Sequence, residues 1–418
     1  MVDGEAHPDP QQPAQNGTEP LIRRVTIRNY KSISKCDVSL GALSVLVGRN
    51  GAGKSNFLDA LRFVADGLHT TLDHALRSRG GIERVRRLSM GYPRNFSIRL
   101  EINLPSRQVA TYAFEVTSRQ GGGFSVKQES LTVRRGDNSI AARYRVSAGK
   151  ITEPADEVMP PPSMDRLYLV HAAGLPLFRE TYDALTSMGF YNLNPDVMRL
   201  PQSPDAGELL ERDGRNIASV IARTTADDTT IKTRIHDYLS CIVPGITDVR
   251  RVALGSHETL QFRQKVKGST NPWGFHASSM SDGTLRALGT LVAVLQLTNG
   301  RDPVRLAGIE EPETALHPAA AGALMDALRE AAVRTQVVIT SHAPALLDEI
   351  DPETDHLIAV QSNDGTTELG PVNSANREAI RDHLYTAGDL LRMDQLEPDR
   401  RDIERQEQLP LFEDGEFE

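Results

Sequence analysis

The residues best suited to hold a phosphate group form one run, Gly48-Arg49-Asn50-Gly51-Ala52-Gly53-Lys54-Ser55, followed by Asn56. It fits G-x-x-x-x-G-K-[ST] at every specified position. The glycines let consecutive backbone N–H groups curl around an anion, and the start of a following helix adds partial positive charge. Lys54 is expected to reach the outer phosphates and the Ser55 hydroxyl to ligate Mg²⁺. The bland alternative is a turn that happens to contain three glycines, and the flanks argue against it. Leu43, Val45 and Val47 precede the run as a buried strand, and Phe57, Leu58, Leu61, Val64 and Leu68 follow at helical spacing.

Three later stretches can complete that chemistry. Glu310-Glu311-Pro312-Glu313 follows the apolar run VRLAGI. An acid at the end of a buried strand can hold the Mg²⁺ water shell, the role expected of Glu310. The acid after it, Glu311, can orient and deprotonate an attacking water. Ser341-His342 closes the apolar run QVVIT, which would let His342 hydrogen-bond a γ-phosphate or that water. Ser281, Asp282 and Gly283 open a long apolar segment, and Ser-x-Gly at a helix start is an anion site. Each has a plain alternative: an acidic loop, a structural histidine, ordinary N-caps. Their order behind a phosphate loop raises them above it.

The elements needed to position these groups are legible in outline. Residues 1–20 and 393–418 read as disordered tails, and 21–392 as one domain with a split core, 21–70 and 276–392, around an insert, 71–275. From Asn95 to Val146, alternating runs separated by turn residues predict antiparallel hairpins. GKITEPADEVMPPPS reads as a loop and LYLVHAA as a strand. Helical segments are expected around Phe178–Met188, Arg215–Arg223 and Ile231–Cys241, and the strands DVRRVAL and TLQFRQKV close the insert. TLRALGTLVAVLQL, apolar nearly all round, predicts a buried helix running to a stop at Asn299-Gly300. Strands and helices then alternate, which predicts a parallel, helix-covered sheet. The expected fold is α/β, with a mainly parallel core sheet, an antiparallel β subdomain and a partly helical insert.

With 39% hydrophobic and 25% charged residues in 418, the composition is that of an ordinary soluble protein. Leu285–Leu297, the best membrane candidate, is broken by Arg286 and Gln296, so no membrane partner is expected. The first twenty residues lack a signal-peptide pattern, and Cys36 and Cys241 form no C-x-x-C, so a cytoplasmic location is expected. A formal charge of −9 argues against coating DNA indiscriminately but allows a local basic patch. Arg84, Arg86 and Arg87 lie in an arginine-rich stretch that could follow a phosphate backbone or form a solvated, salt-bridged face.

The order of phosphate loop, S-D-G, E-E-P-E, A-L-H-P and T-S-H resembles the ABC-type ATPase heads of the RecF, SMC and OLD kind. More narrowly, with VTIRNYKSI, FYNLNPDVMRLP and DGRNIASVI, the chain is similar to stand-alone bacterial ATPases labelled AAA-family. The likeness spans Leu21 to Leu391. It implies that two heads sandwich two ATP molecules, as a homodimer formed on ATP binding. Lys54 and Ser55 would act in cis, Ser281 and Gly283 on the opposite subunit's γ-phosphate, Ala315–Pro318 as the D-loop and His342 as the switch. Glu310 stands where transporters and SMC proteins carry Asp, as in OLD-like enzymes. Gln128 is a candidate Q-loop glutamine. The stretch after Ile350 is too short for a nuclease domain of roughly 100 residues, so any nuclease effector is expected to be separately encoded.

In the tail, Gln408, Leu409, Leu411 and Phe412 resemble the peptide that docks on the bacterial sliding clamp, with a chance apolar island as the alternative. The leading expectation is an ATPase whose head pairing switches engagement of DNA or a partner protein, in genome maintenance or phage defence. A transporter nucleotide-binding subunit is disfavoured because M-S-D-G-T stands where L-S-G-G-Q is needed. A non-hydrolysing ATP-dependent dimerisation module is the remaining alternative.

Overall fold

Apolar runs on both sides of the insert meet in one sheet. The computed structural model describes residues 19–153, 159–296 and 304–408. β1 (Ile22–Tyr30), β2 (Ile33–Ser39) and β3 (Leu43–Val47) lead into the helix Lys54–His69. β4 (Asn95–Asn103), β5 (Val109–Ser118), β6 (Phe124–Arg134), β7 (Ile140–Ser147) and β8 (Lys150–Glu153) follow as antiparallel neighbours. The insert continues through β9 (Met188–Tyr191) and the helices Pro195–Arg199, Ile217–Asp227 and Thr229–Ile242. It ends in a separate antiparallel sheet of β10 (Ile246–Leu254), β11 (His257–Gln264) and β12 (Trp273–His276). The helix Asp282–Leu295, β13 (Leu306–Glu310), the helix Ala321–Ala332, β14 (Gln336–Ser341), β15 (His356–Asn363) and β16 (Thr366–Pro371) complete the core.

The main sheet has thirteen strands in the order β8-β7-β6-β5-β4-β1-β2-β16-β15-β3-β14-β13-β9. From β15 to β9 the neighbours are parallel and from β8 to β2 antiparallel, so the expected core and β subdomain are two ends of one surface. β3 is buried throughout, as a central parallel strand covered on both faces must be. The helix Asp282–Leu295 is buried from Gly283 onward apart from Arg286. The Asn299-Gly300 stop lies outside the described residues.

The ends join at a weak seam. β16 pairs with β2 only at Thr367↔Ile33. Buried Gln406 closes the gap: its Oε1 accepts from Asp37 N at 3.1 Å and its Nε2 donates to Leu369 O at 3.0 Å. Gln406 lies on the helix Arg400–Gln408, which corrects the expectation of disorder from residue 393. That stretch looked too polar to fold, yet its amide satisfies backbone groups the seam would otherwise orphan. Gln408 is exposed at the helix end, and Leu409, Leu411 and Phe412 lie outside the described residues.

Three further expectations change. LYLVHAA holds a helical turn, Leu169–Ala172, rather than a strand. Tyr168 N and Leu169 N both donate to the buried Glu129 carboxylate, and an anion at that point favours a helix start. Lys150–Glu153, expected in a loop, pairs with β7. Met188–Tyr191 joins the parallel core beside β13, so the insert supplies the core's outermost strand.

Candidate nucleotide site

The carboxyl ends of β3, β14 and β13 lie side by side, with Val47 level with Ser341 and Glu310 level with Thr340. Open α/β sheets bind ligands in the crevice beyond such ends. The phosphate loop leaves β3 there and turns through Gly51 at φ 81° and Gly53 at φ 106°. A Cβ on Gly53 would stand 2.0 Å from Thr367 Oγ1, so only glycine fits. Thr367 braces the loop from behind, donating to Ala52 O at 2.9 Å and contacting Ser32 Oγ at 2.6 Å. Asn56 turns its amide to the same Ser32 Oγ, at 2.6 Å, and so braces the loop too. Arg49 points outward to Asp394, at 2.8 Å.

Lys54 folds back over the loop, its ammonium donating to Gly48 O at 2.7 Å and Arg49 O at 3.1 Å. Burial pulls its pKa down, and the charges of Glu311 and Glu313 oppose that pull. No described side chain caps the Lys54–His69 helix and no acid sits in its first turn. Uncapped helix N–H groups, a curled glycine backbone and an ammonium resting on carbonyls fit the oxygens of a bound polyphosphate. Ser55 is exposed at the helix start. Among the described residues no cluster of three or more His, Cys, Asp or Glu could enclose a metal. Mg²⁺ beside a nucleotide needs none, since it binds through one or two protein oxygens, water and phosphate.

The acid pair leaves β13 through a strained turn. Glu311 has φ 45°, an uncommon value for a residue with a side chain and a feature that clusters at functional sites. Its N–H is shared between Thr340 O at 3.1 Å and Thr340 Oγ1 at 3.2 Å, which fixes the turn to β14. Glu311 Oε1 lies 3.0 Å from His342 Nδ1, near enough to pair but out of hydrogen-bonding alignment. Glu313, which had no expected role, accepts from Ser341 Oγ at 2.6 Å through Oε1, while its Oε2 is buried without a partner. Burial pushes its pKa above the usual carboxylate value, partly offset by the Ser341 hydrogen bond.

Glu310 is occupied in another way: Arg212 Nη2 sits 3.0 Å from its Oε1. Arg212 precedes Asp213-Gly214, and its carbonyl accepts from Asn192 N at 2.9 Å, just beyond the end of β9. Arg62, Asn192, Arg212 and Arg286 line a hollow of about 530 Å³ beside the acids. Neither Arg212 nor Asn192 was anticipated, because β9 was not expected to enter the core. Gln128 is no neighbour of the loop: it lies on β6 among the antiparallel strands, its amide donating to Glu115 Oε2 at 2.8 Å.

Ser281 caps its own helix, accepting from Thr284 N at 3.2 Å, so the plain N-cap geometry is present. Asp282 pairs with Arg199, which also donates to Met280 O at 3.2 Å and bolts the helix start to Pro195–Arg199. A Cβ on Gly283 would fall 2.2 Å from Ala315 O, so glycine lets this helix and the 315–318 turn touch. Ser281, Asp282, Ala315 and His317 are exposed. The Arg84–Arg87 stretch is less available. Arg86 pairs with Glu83 and donates to Pro93 O at 3.0 Å, and Arg87 donates to Thr366 Oγ1 at 2.6 Å. Arg84 alone of the three is exposed.

Residues 21–103, which contain the phosphate loop, match the model of the AAA ATPase domain. Residues 252–348, which contain Ser281, Glu310, Glu311 and His342, match the model described as "AAA domain, putative AbiEii toxin, Type IV TA system". Among solved structures, the Smc head bound to the C-terminal domain of ScpA, derived from Pyrococcus furiosus, aligns at TM-score 0.54 and 11% identity. That alignment covers 87% of this chain and 99% of that one. The Smc head bound to the C-winged helix domain of ScpA aligns at TM-score 0.51 and 16% identity, over 85% and 99%. No curated protein sequence matches the chain. The large mixed sheet with its phosphate loop is the fold of an SMC-type P-loop ATPase head. Within that fold, residues 21–103 and 252–348 carry AAA-type sequence on the two sides of the insert.

Proposed function

We propose that this protein binds and hydrolyses ATP, and that ATP binding draws two copies together. The supporting observation is the convergence of Lys54, Glu311, Glu313 and His342 at the carboxyl ends of adjacent parallel strands, with strain at Glu311. Gly48–Ser55 wraps the phosphates in backbone N–H groups, and Lys54 moves from its loop carbonyls to phosphate oxygens. Ser55 and Glu310 would hold Mg²⁺, directly and through water, and the ion would neutralise charge developing on the phosphates. Glu311 takes the proton of the attacking water, and His342 orients that carboxylate. Ser281 and Asp282 face solvent beside the 315–318 turn, with Gly283 buried against Ala315, a surface suited to covering the nucleotide of a second copy. Pairing would then switch engagement of DNA or a partner protein. The Smc heads of similar fold carry ScpA, which supports the partner reading.

Binding of a fluorescent ATP analogue and phosphate release, measured side by side, test this. Lys54→Ala is expected to weaken binding roughly 10- to 100-fold, the loss of one or two charge-assisted hydrogen bonds. Glu311→Gln keeps binding and slows release by about 10²- to 10⁴-fold. Wild-type turnover in the Gln variant removes Glu311 as the base.

A further inference from the structure

One arginine interrupts an otherwise buried helix. Along Asp282–Leu295 every residue from Gly283 onward is buried except Arg286, which is half-buried and carries the only charge after Asp282. Withdrawing a guanidinium from water is costly unless an anion or an acceptor meets it. Here neither does. Its Nε is buried without a hydrogen-bond partner, and the side chain enters no ion pair among the described residues. Burial pulls its pKa below the ordinary arginine value, and the charge of Glu311 opposes that pull, followed by those of Asp282 and Glu313. Asp282 is already held by Arg199.

The hollow beside the acids has four arginines in its wall, Arg62, Arg212, Arg215 and Arg286. Arg62 pairs with Asp66 at 3.4 Å and Arg212 with Glu310 at 3.0 Å. Arg215 takes both acids of the lining, Glu211 at 3.2 Å and Asp213 at 2.5 Å. Arg286 is left as the cation with its charge unspent. The carboxylates it senses, Glu311 and Glu313, are also the two that Lys54 senses from the phosphate loop. Both cations therefore lie within electrostatic reach of the place a terminal phosphate would take. An arginine serving only the fold would close on one of those carboxylates, whereas this one stops beside them and lines the hollow. We propose that Arg286 binds the terminal phosphate of the nucleotide, attached as in ATP or cleaved as inorganic phosphate. This rests on the ATPase reading. Arg286 lies a little over one turn beyond Ser281, so phosphate occupancy would bear on the helix start that faces solvent.

Calorimetric titration of the full chain in Mg²⁺, with ADP and with an ATP analogue carrying a β,γ-imido bridge, isolates the terminal phosphate. Arg286→Met keeps an unbranched stem and removes the charge. It is expected to weaken the analogue roughly 10- to 100-fold, the loss of one or two charge-assisted hydrogen bonds, and ADP by less than about twofold. Arg286→Lys should restore part of the loss. Inorganic phosphate should tighten ADP binding in the wild type and not in Arg286→Met if the cleaved group is held. Loss confined to the analogue assigns the attached phosphate, and loss confined to the phosphate effect assigns the cleaved one. The nucleotide-free melting temperature should hold or rise in Arg286→Met, because an unmet guanidinium has been removed. Equal losses for both nucleotides, or a melting temperature that falls, assign Arg286 to the fold and overturn the proposal. Analogue affinity and phosphate effect both unchanged overturn it too. A wild-type chain that binds neither nucleotide fails the ATPase reading, whereas one that binds both and ignores Arg286 fails this claim alone.

Discussion

Two carboxylates, Glu129 and Glu313, are withdrawn from water at opposite ends of the same sheet, and their surroundings differ completely. Glu129, among the antiparallel strands, accepts from Tyr112 Oη at 3.1 Å, Tyr144 Oη at 2.8 Å, Leu169 N at 2.8 Å and Tyr168 N. Both carboxylate oxygens accept hydrogen bonds, and the network ties β5, β6 and β7 to the Leu169–Ala172 turn. Glu313, at the parallel end, has one hydrogen bond and one orphaned oxygen. Beside it, His342 Nδ1 and the Nε of half-buried Arg286 also lack hydrogen-bond partners. A folded protein pairs nearly all its buried polar groups. Three unused polar atoms gathered around Glu313 are capacity that a ligand could take up, whereas the Glu129 network is engaged in holding the scaffold.

That contrast can be broken at either end. The largest effect is expected from Glu129→Ala, which leaves two tyrosine hydroxyls and two N–H groups buried without acceptors. A loss on the order of 3–5 kcal/mol in urea unfolding is expected, against an intact fold if the network is dispensable. Gln406→Ala, which reopens the β2–β16 seam, should cost about 2 kcal/mol by the same measurement. Its nucleotide affinity should hold if the seam is scaffold only.

Glu313→Gln should behave oppositely. Burial raises the folded pKa of Glu313, so the folded chain holds this proton to higher pH than the unfolded chain does. The group's stabilisation is complete below the ordinary carboxylate value of 4.5 and is lost as pH rises through the folded pKa. The amide cannot titrate, so Glu313→Gln should gain in melting temperature relative to wild type from pH 5 to pH 8. Parallel curves would mean that Glu313 is as well solvated as a surface acid. The smallest stability change is expected at Arg212→Ala, within about 0.5 kcal/mol for a half-exposed ion pair. Freeing Glu310 should lower the Mg²⁺ concentration needed for nucleotide binding by about two- to fivefold, the equivalent of such a pair.

The parallel end was the more legible in the sequence. Gly48–Ser55, the acids after β13 and Ser341-His342 sit at ends of short apolar runs, where local pattern and tertiary position agree. What escaped was set by distant partners. β9 is four residues long and becomes a strand only by lying beside β13, which hid Asn192 and Arg212. The Leu169–Ala172 turn looked like a strand because Glu129, forty residues earlier, takes its first N–H groups. The Arg400–Gln408 helix looked disordered because its anchor is one polar side chain meeting a gap in the sheet. The arginines at 84–87 allowed either a phosphate contact or a salt-bridged face, and Arg86 and Arg87 are internal fasteners.

The composite site is tested most directly by the solution mass of Glu311→Gln, measured by light scattering on gel filtration with and without ATP and Mg²⁺. Arrested hydrolysis should hold the paired state, so the mass should double with ATP and return to that of one chain when Ser281 is also replaced by arginine. An unchanged monomer mass, with ATP shown to be bound, would contradict the account.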